Sequence, residues 1–439
     1  MLSEQQYQNK PSDQQDVPAG KYNDVIWALL FVLNVVAVCV AAGFNFKKID
    51  INSSNTTATE SSGPIIAALA CGFIASIAFG IAWIRVLNHP AISINVIKFA
   101  MFANIGLSVI ACAIAFAAGQ VVTGVIMLIF SALAALWYYV VRNRIAFTTI
   151  MLEMATACTK QYTSTVFIAI VVQFVALGWI VLWVIAILGA SGSKSSVVIF
   201  LLVLSLYWTL NVLMNVVQVT VGGVAATWYY QSQSTNVVSS SAKRACTTSF
   251  GSICFGSFIV SAIEALRAVA RASGRDNQIL ACIVDCILSI IQAIAEFISK
   301  YAYAYVAIWG QDFCTSAKNT WGLLKRRGFD VIVNDDLSNL AFWMSSLIGG
   351  VVGAAVGALV FLAAGGKTSS DGLTASMLLC FFLGAFLTGV VMSVIESCVV
   401  TFMVLWAEEP APLAQNHQAL HQKLIAAVRK MYPSIQGPI

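Results

Sequence analysis

YWTLNVLMNVVQVTVGGVAATWYY, residues Tyr207–Tyr230, decides how the rest of the chain is read. At 1.5 Å per residue a helix of this length crosses a bilayer, yet it is not uniformly apolar. Trp208, Asn211, Asn215, Gln218 and Gly222 recur at alternating spacings of three and four, which sets them in one stripe on one helical face. Val, Leu and Met fill the opposite face. Amides turned toward lipid tails lose their hydrogen bonds, so the stripe must face protein or a wet cavity. It reads either as a packing seam, with amides tying neighbouring helices together, or as the lining of a pathway. The Gly222-Gly223 pair admits another backbone at close range. Trp228-Tyr229-Tyr230 stands where an interfacial aromatic belt would.

The composition around this stretch agrees with a membrane setting. Of 439 residues, 59% are hydrophobic and only 10% charged, with a mean hydropathy of +0.85. Soluble domains carry about 25% charged residues. Such a chain cannot coat a water-soluble surface and is expected to be an all-α polytopic membrane protein. The net charge of +5 is spread over loops, with no basic run pointing to nucleic acid. The eleven Cys lie mostly in apolar spans (Cys39, Cys71, Cys112, Cys254, Cys380, Cys398) without metal-ligand spacing, and read as buried thiols. Residues 1–22 read as a disordered cytoplasmic tail.

Outward from the stripe, the apolar runs define ten spans within residues 23–410, with both termini cytoplasmic. They fall near Val25–Phe44, Pro64–Val86, Ile94–Ala118, Val121–Val141, Val166–Leu188, Val197–Tyr230, Thr248–Ala268, Ile279–Ile308, Leu340–Ala364 and Thr374–Trp406. The short loop 45–63 carries two glycosylation acceptors, Asn52 and Asn55, which fits an outside location. Segments 142–162, 231–247 and 311–338 read as cytoplasmic, the first as a short interfacial helix or linker and the last as a soluble stretch rich in Lys and Arg. Residues 411–439 form a basic cytoplasmic tail. The sixth span, longer than the roughly 20 residues a bilayer needs, must tilt, bend near Gly222-Gly223 or project from the membrane. The hairpin over 248–310 leaves its orientation open, because Arg267, Arg271 and Arg275 would lie outside. Gly349, Gly353 and Gly357, four apart, give the ninth span one smooth face for close packing.

No phosphate-binding loop, metalloprotease motif or nucleophile elbow is present, so no enzyme activity, cofactor or metal is expected. Ionisable groups inside spans are costly and point to function. Glu264 shares a helical face with Ser257 and Ser261, and Glu396 lies well inside the last span with Ser393 on its face. Each reads as a counter-charge for a cation or a proton acceptor, or as a carboxylate kept neutral or paired with a base such as Arg267 or Lys98. Asp285 and Glu296 read as solvated positions on an amphipathic helix. A quaternary ammonium, which donates no hydrogen bond, is recognised by ring faces with a carboxylate or carbonyl nearby. Trp208, Trp228, Tyr229, Tyr301, Tyr303 and Tyr305 are candidates, with interfacial anchoring as their alternative.

Several stretches in order resemble the choline transporter-like family of solute carriers, including its fungal and plant members. They are ATWYY at Ala226–Tyr230, SFGSICFGSFI at Ser249–Ile259 and KYAYAYVAIWGQDFCTSAKNTW at Lys300–Trp321. VNDDL follows at Val333–Leu337, FFLGAF at Phe381–Phe386, MSVIES at Met392–Ser397 and AEEP at Ala407–Pro410. The similarity runs from about the second span to the C-terminus. It implies about ten spans, a glycosylated first outer loop (short here, large in animal members) and facilitated movement of choline or related organic cations.

The resulting expectation is a plasma-membrane carrier whose small organic cation meets Trp208, Asn211, Asn215, Gln218, Glu264, Tyr305 and Glu396. The alternative is a non-transporting scaffold or lipid-interacting protein of the same family, with Cys314–Asp336 as a docking surface. Whether Trp208, Asn215 and Glu396 converge on one cavity separates the two.

Overall fold

Long apolar runs with few breakers fold as single helices, and the chain is built almost wholly from them. The computed structural model describes residues 21–46, 62–190, 196–230, 236–273, 278–365 and 371–431. In chain order the helices are α1 (Val25–Phe46), α2 (Ser62–Leu87), α3 (Pro90–Ala117), α4 (Val121–Val141), α5 (Ile145–Gln161), α6 (Ser164–Ala190) and α7 (Ser196–Tyr230). Then come α8 (Val237–Cys246), α9 (Phe250–Ser273), α10 (Gln278–Trp309), α11 (Phe313–Ala363), α12 (Asp371–Glu408), α13 (Ala411–Asn416) and α14 (Gln418–Met431). There is no strand among the described residues. The protein is an all-α polytopic membrane protein. Asn52 and Asn55 lie outside the described residues, as do the N-terminal residues 1–20.

Nine of the described helices are long and apolar enough to cross a membrane: α1, α2, α3, α4, α6, α7, α9, α11 and α12. The expected eighth span, α10, is not among them. It is 32 residues long and carries Asp285, Glu296 and Lys300. Its last turns, Tyr301–Ile308, are wholly buried.

Two packing units organise the bundle. In the first, α2, α11 and α12 pack through small residues. A Cβ on Gly353 would stand 2.5 Å from the Cys380 carbonyl oxygen, and one on Gly384 the same distance from that of Gly349. The backbones of α11 and α12 therefore meet directly, as the four-residue Gly spacing predicts. In the second, α7 runs unbroken and is packed by α9, α10 and α12. Gly222 sits where three of these helices meet: its missing Cβ would lie 2.8 Å from the Ala307 Cβ and 3.0 Å from the Thr401 hydroxyl.

At its N-terminal end the bundle is strapped by two polar residues. Asn23 donates to the Gly310 carbonyl at 2.8 Å, and the Asp24 carboxylate accepts from the Ser252 hydroxyl (2.7 Å) and the Phe313 N–H (3.1 Å). An anion is thus held at the N-terminus of α11, where the helix dipole favours it. Asp24 adopts φ +54°, a strained backbone for a non-glycine residue.

Two of the segments read as lying between spans are helices packed into the bundle. Segment 142–162 contains α5, which is buried over most of its length against α12, α3, α14, α11 and α2. Its threonines make this feasible: Thr149, Thr156 and Thr159 donate to the carbonyls of Ile145, Leu152 and Ala155, four residues back. Three of its four threonine hydroxyls are thus satisfied within the helix, which lets it enter an apolar core. Segment 311–338 is the first half of α11, which is capped by the Asp312 carboxylate on the Thr315 N–H (2.9 Å) and breaks helical geometry once, at Arg327. There the Arg327 guanidinium lies 4.6 Å from the centre of the Trp406 ring.

The tail after Pro410 docks back as α13 and α14. His417 stacks on Trp228 with ring centres 3.9 Å apart, and Tyr229 and Tyr230 donate to the carbonyl and the carboxylate of Glu409. Lys423 pairs with Glu153 on α5 at 2.6 Å. Trp228 and Tyr229, read as belt residues, are therefore buried and join α7 to the tail. Of the six cysteines expected in the interior, Cys112, Cys254, Cys380 and Cys398 are buried, while Cys39 and Cys71 lie exposed on apolar helix surfaces.

Candidate functional site

The polar stripe of α7 meets a second stripe with the same repeat. On α9, Ser257, Ser261 and Glu264 are spaced four and three apart, matching the interval from Asn211 to Asn215 to Gln218. The two helices zip together through these residues. The Asn215 amide lies 2.9 Å from the Ser257 hydroxyl, and Asn211 donates to the Ser261 hydroxyl (3.0 Å) and the Glu264 carboxylate (2.8 Å). One turn further on, Gln218 donates to the Lys300 carbonyl of α10 at 2.7 Å. Partners on Asn211 and Gln218 are a carboxylate and a carbonyl, which only the amide N–H2 can satisfy. Their own carbonyl oxygens remain as acceptors.

Beside this zip lies a cavity of about 410 Å³ bounded by α6, α7, α9, α10 and α12. Asn211, Asn215 and Gln218 line it from α7, Glu296, Lys300 and Tyr303 from α10, and Ser393, Glu396 and Ser397 from α12. Glu296 is exposed at its open side and accepts from Gln292 at 2.6 Å. Deeper in, Glu396 forms an ion pair with Lys300 at 2.5 Å, and the same ammonium contacts Asp335 of α11 at 2.7 Å. The charged groups lining the cavity, two carboxylates and one ammonium, leave it net negative. Tyr303, the aromatic residue of the lining, is almost wholly buried, its ring against Phe313 and its hydroxyl 3.3 Å from that of Ser257.

The structure sorts the sequence-derived candidates cleanly. Asn211, Asn215, Gln218 and Glu396 line one cavity. Glu264 does not line it but holds Asn211 from behind. Trp208, although on the stripe, is buried on the side facing α1 and α9. Its indole N–H donates to the Cys254 carbonyl at 2.9 Å, and its ring packs edge-on to Phe31 and Phe258. Tyr305 is buried elsewhere, donating to Glu408 at 2.6 Å beside Arg326.

Of the alternating tyrosines it is Tyr303 that reaches the cavity. Lys300 and Asp335 are the partners that sequence reasoning missed. Neither Arg267 nor Lys98 pairs with Glu396 here; Arg267 and Arg271 instead bracket Asp285 at 2.6 and 2.7 Å. The signal was present in Lys300 opening the KYAYAY run and Asp335 inside VNDDL, but nothing in their spacing tells that α10 and α11 cross there.

The cavity therefore sets a few amide, serine and charged groups, net negative, among apolar side chains where the central helices cross. The chain belongs to the choline transporter-like family: the family profile described as plasma-membrane choline transporter matches residues 125–411. It is similar to a CTL-like protein of Dictyostelium discoideum, with 31% identity over 421 residues covering 92% of this chain and 74% of the relative. It is also similar to Protein PNS1 of Mycosarcoma maydis, 28% identical over 456 residues (95% and 84%), and to Protein PNS1 of Cryptococcus neoformans var. neoformans, 28% identical over 477 residues (97% and 85%). The protein is thereby a multi-pass membrane transporter.

Proposed function

We propose that the protein moves choline or a related monovalent organic cation across the plasma membrane by alternating access to the cavity beside α7. The observation that carries this reading is the convergence of the α7 amides, Tyr303 and Glu396 on one net-negative cavity. A methyl-shielded ammonium needs no hydrogen-bond acceptor aimed at an N–H. It is held by diffuse negative charge, by oxygens and by aromatic groups; the lining supplies the charge and the amide and serine oxygens, with Tyr303 as its aromatic residue. The family description supports the same cargo class. With the membrane potential as the driving force, a single positive charge gains about 2.3 kcal/mol at 100 mV, enough for roughly fiftyfold accumulation.

The test is uptake of radiolabelled choline into proteoliposomes holding the purified chain, with and without an inside-negative potential. Saturable uptake that rises with the potential and weakens in Glu396→Gln is the expected result. Uptake no greater than that of empty vesicles, with the protein folded, would remove choline as the cargo.

A further inference from the structure

Lys300 places a positive charge in a cavity that otherwise suits a cation, and the arrangement around it gives that charge a role. Its ammonium lies 2.5 Å from Glu396 on α12 and 2.7 Å from Asp335 on α11, so one cation is shared by two carboxylates. The trio carries one uncompensated negative charge. A monovalent cation arriving at Glu396 converts it into two complete ion pairs, cargo with Glu396 and Lys300 with Asp335. A dication would leave an excess charge, and a neutral molecule would leave the deficit in place.

The two carboxylates are not equivalent. The Glu396 side chain is 33% exposed and lines the cavity, whereas that of Asp335 is 13% exposed and does not. Asp335 is also fixed on its other oxygen by the Asn339 amide at 3.1 Å. The Lys300 backbone is held in turn, because Gln218 donates to its carbonyl. What is left free to move is the flexible four-carbon stem, whose three donors can re-aim without moving the helix.

We propose that Lys300 is a tethered competitor for the cargo: it occupies Glu396 when the cavity is empty and withdraws to Asp335 when an organic monocation takes Glu396. The device rests on the cargo reading above. It makes a single positive charge the match at Glu396, with the exposed Glu296 outside the exchange, and it limits affinity so that bound cargo can be expelled. It also exchanges a tie between α10 and α12 for one between α10 and α11, which gives cargo a differential interaction with two arrangements of the bundle.

The test is titration of the purified full-length chain with choline by calorimetry, for wild type, Asp335→Asn and the double variant Lys300→Met/Asp335→Asn. Without Asp335 the ammonium has nowhere to withdraw and stays on Glu396, so choline binding weakens, by about tenfold for a difference of 1.4 kcal/mol. Removing both groups frees Glu396 at unchanged net charge, so the double variant binds more tightly than wild type. The order of affinity, double variant above wild type above Asp335→Asn, is the expected result. A purely structural role for the pair would make both variants weaker, and that order, or Asp335→Asn at the wild-type affinity, overturns the proposal. Should Asp335→Asn fail to fold, the double variant, which removes a buried pair together, decides by itself: tighter binding supports, equal or weaker binding overturns. A folded wild type that binds no choline would instead remove the cargo reading on which the device stands.

Discussion

Glu396→Gln is the most informative single change, because the structure states both what it removes and what it spares. It deletes the carboxylate that faces the cavity but keeps the size and hydrogen-bonding capacity of the side chain. Lys300 retains Asp335 at 2.7 Å, so no buried cation is left without a partner. Folding should therefore survive, with the thermal midpoint in detergent lowered by a few degrees at most. The effect on cargo is larger. A methyl-shielded ammonium approaches a carboxylate oxygen to about 4 Å, where the attraction is about 4 kcal/mol at the effective dielectric near a protein surface. Wild type already spends part of this on displacing Lys300, so the net loss is about 1.4–2 kcal/mol, or roughly ten- to thirtyfold in the apparent KM. Initial rates of choline uptake into proteoliposomes at a fixed potential measure it. A KM within twofold of wild type, in folded protein, would refute the assignment of Glu396 as the counter-charge.

Other changes separate the cavity from its frame. Tyr305→Phe removes the bond to Glu408 and should cost about 1 kcal/mol of stability, read as a lower unfolding midpoint, while the KM for choline stays unchanged. Gly222→Val forces a branched side chain into the space shared by Ala307 and Thr401; it should destabilise by about 1–3 kcal/mol and broaden the size-exclusion profile. Asp312→Ala loses the cap on α11, at about 1 kcal/mol. Burial alone would raise the Asp312 carboxyl, but its bonds to Thr315 and the nearby Lys318 hold it below the ordinary carboxylate value. Its contribution is therefore complete above the unfolded-state value of about 4 and fades as pH falls through the lower folded-state value. The stability gap between wild type and Asp312→Ala should narrow on acidification and stay constant from pH 5 to 8.

Much of the frame was legible in the sequence, because long apolar helices and four-residue glycine repeats are local signals. The α7 stripe was legible for the same reason: helical spacing alone puts Asn211, Asn215 and Gln218 on one face. What spacing cannot give is which neighbour that face meets. Trp208 shares the stripe, yet turns toward Phe31 because α1 crosses at that level. Tyr303 and Tyr305 differ by two residues and lie on different sides of α10, one at the cavity and one at Glu408. α5 reads from composition as an interfacial helix or linker because threonine counts as polar, but three of its four hydroxyls bond within the helix and let it be buried. The Lys300 pairs needed knowledge of where α10, α11 and α12 cross, which is a property of the whole bundle.

The single break in α11 has a mechanical consequence. Beyond Arg327 the helix continues to Ala363, a rod of about 54 Å at 1.5 Å per residue, which meets α12 through close glycine contacts between Gly349 and Gly357. Asp335 sits about 12 Å up that rod. A tilt of one degree about the break displaces Asp335 by only about 0.2 Å but carries the far end about 1 Å sideways. The fulcrum lies where Arg327 rests on Trp406, close to the ion pair between Arg326 and Glu408. Were the exchange proposed for Lys300 to tilt the rod about this break, the far end of α11 would move several times farther than Asp335 itself.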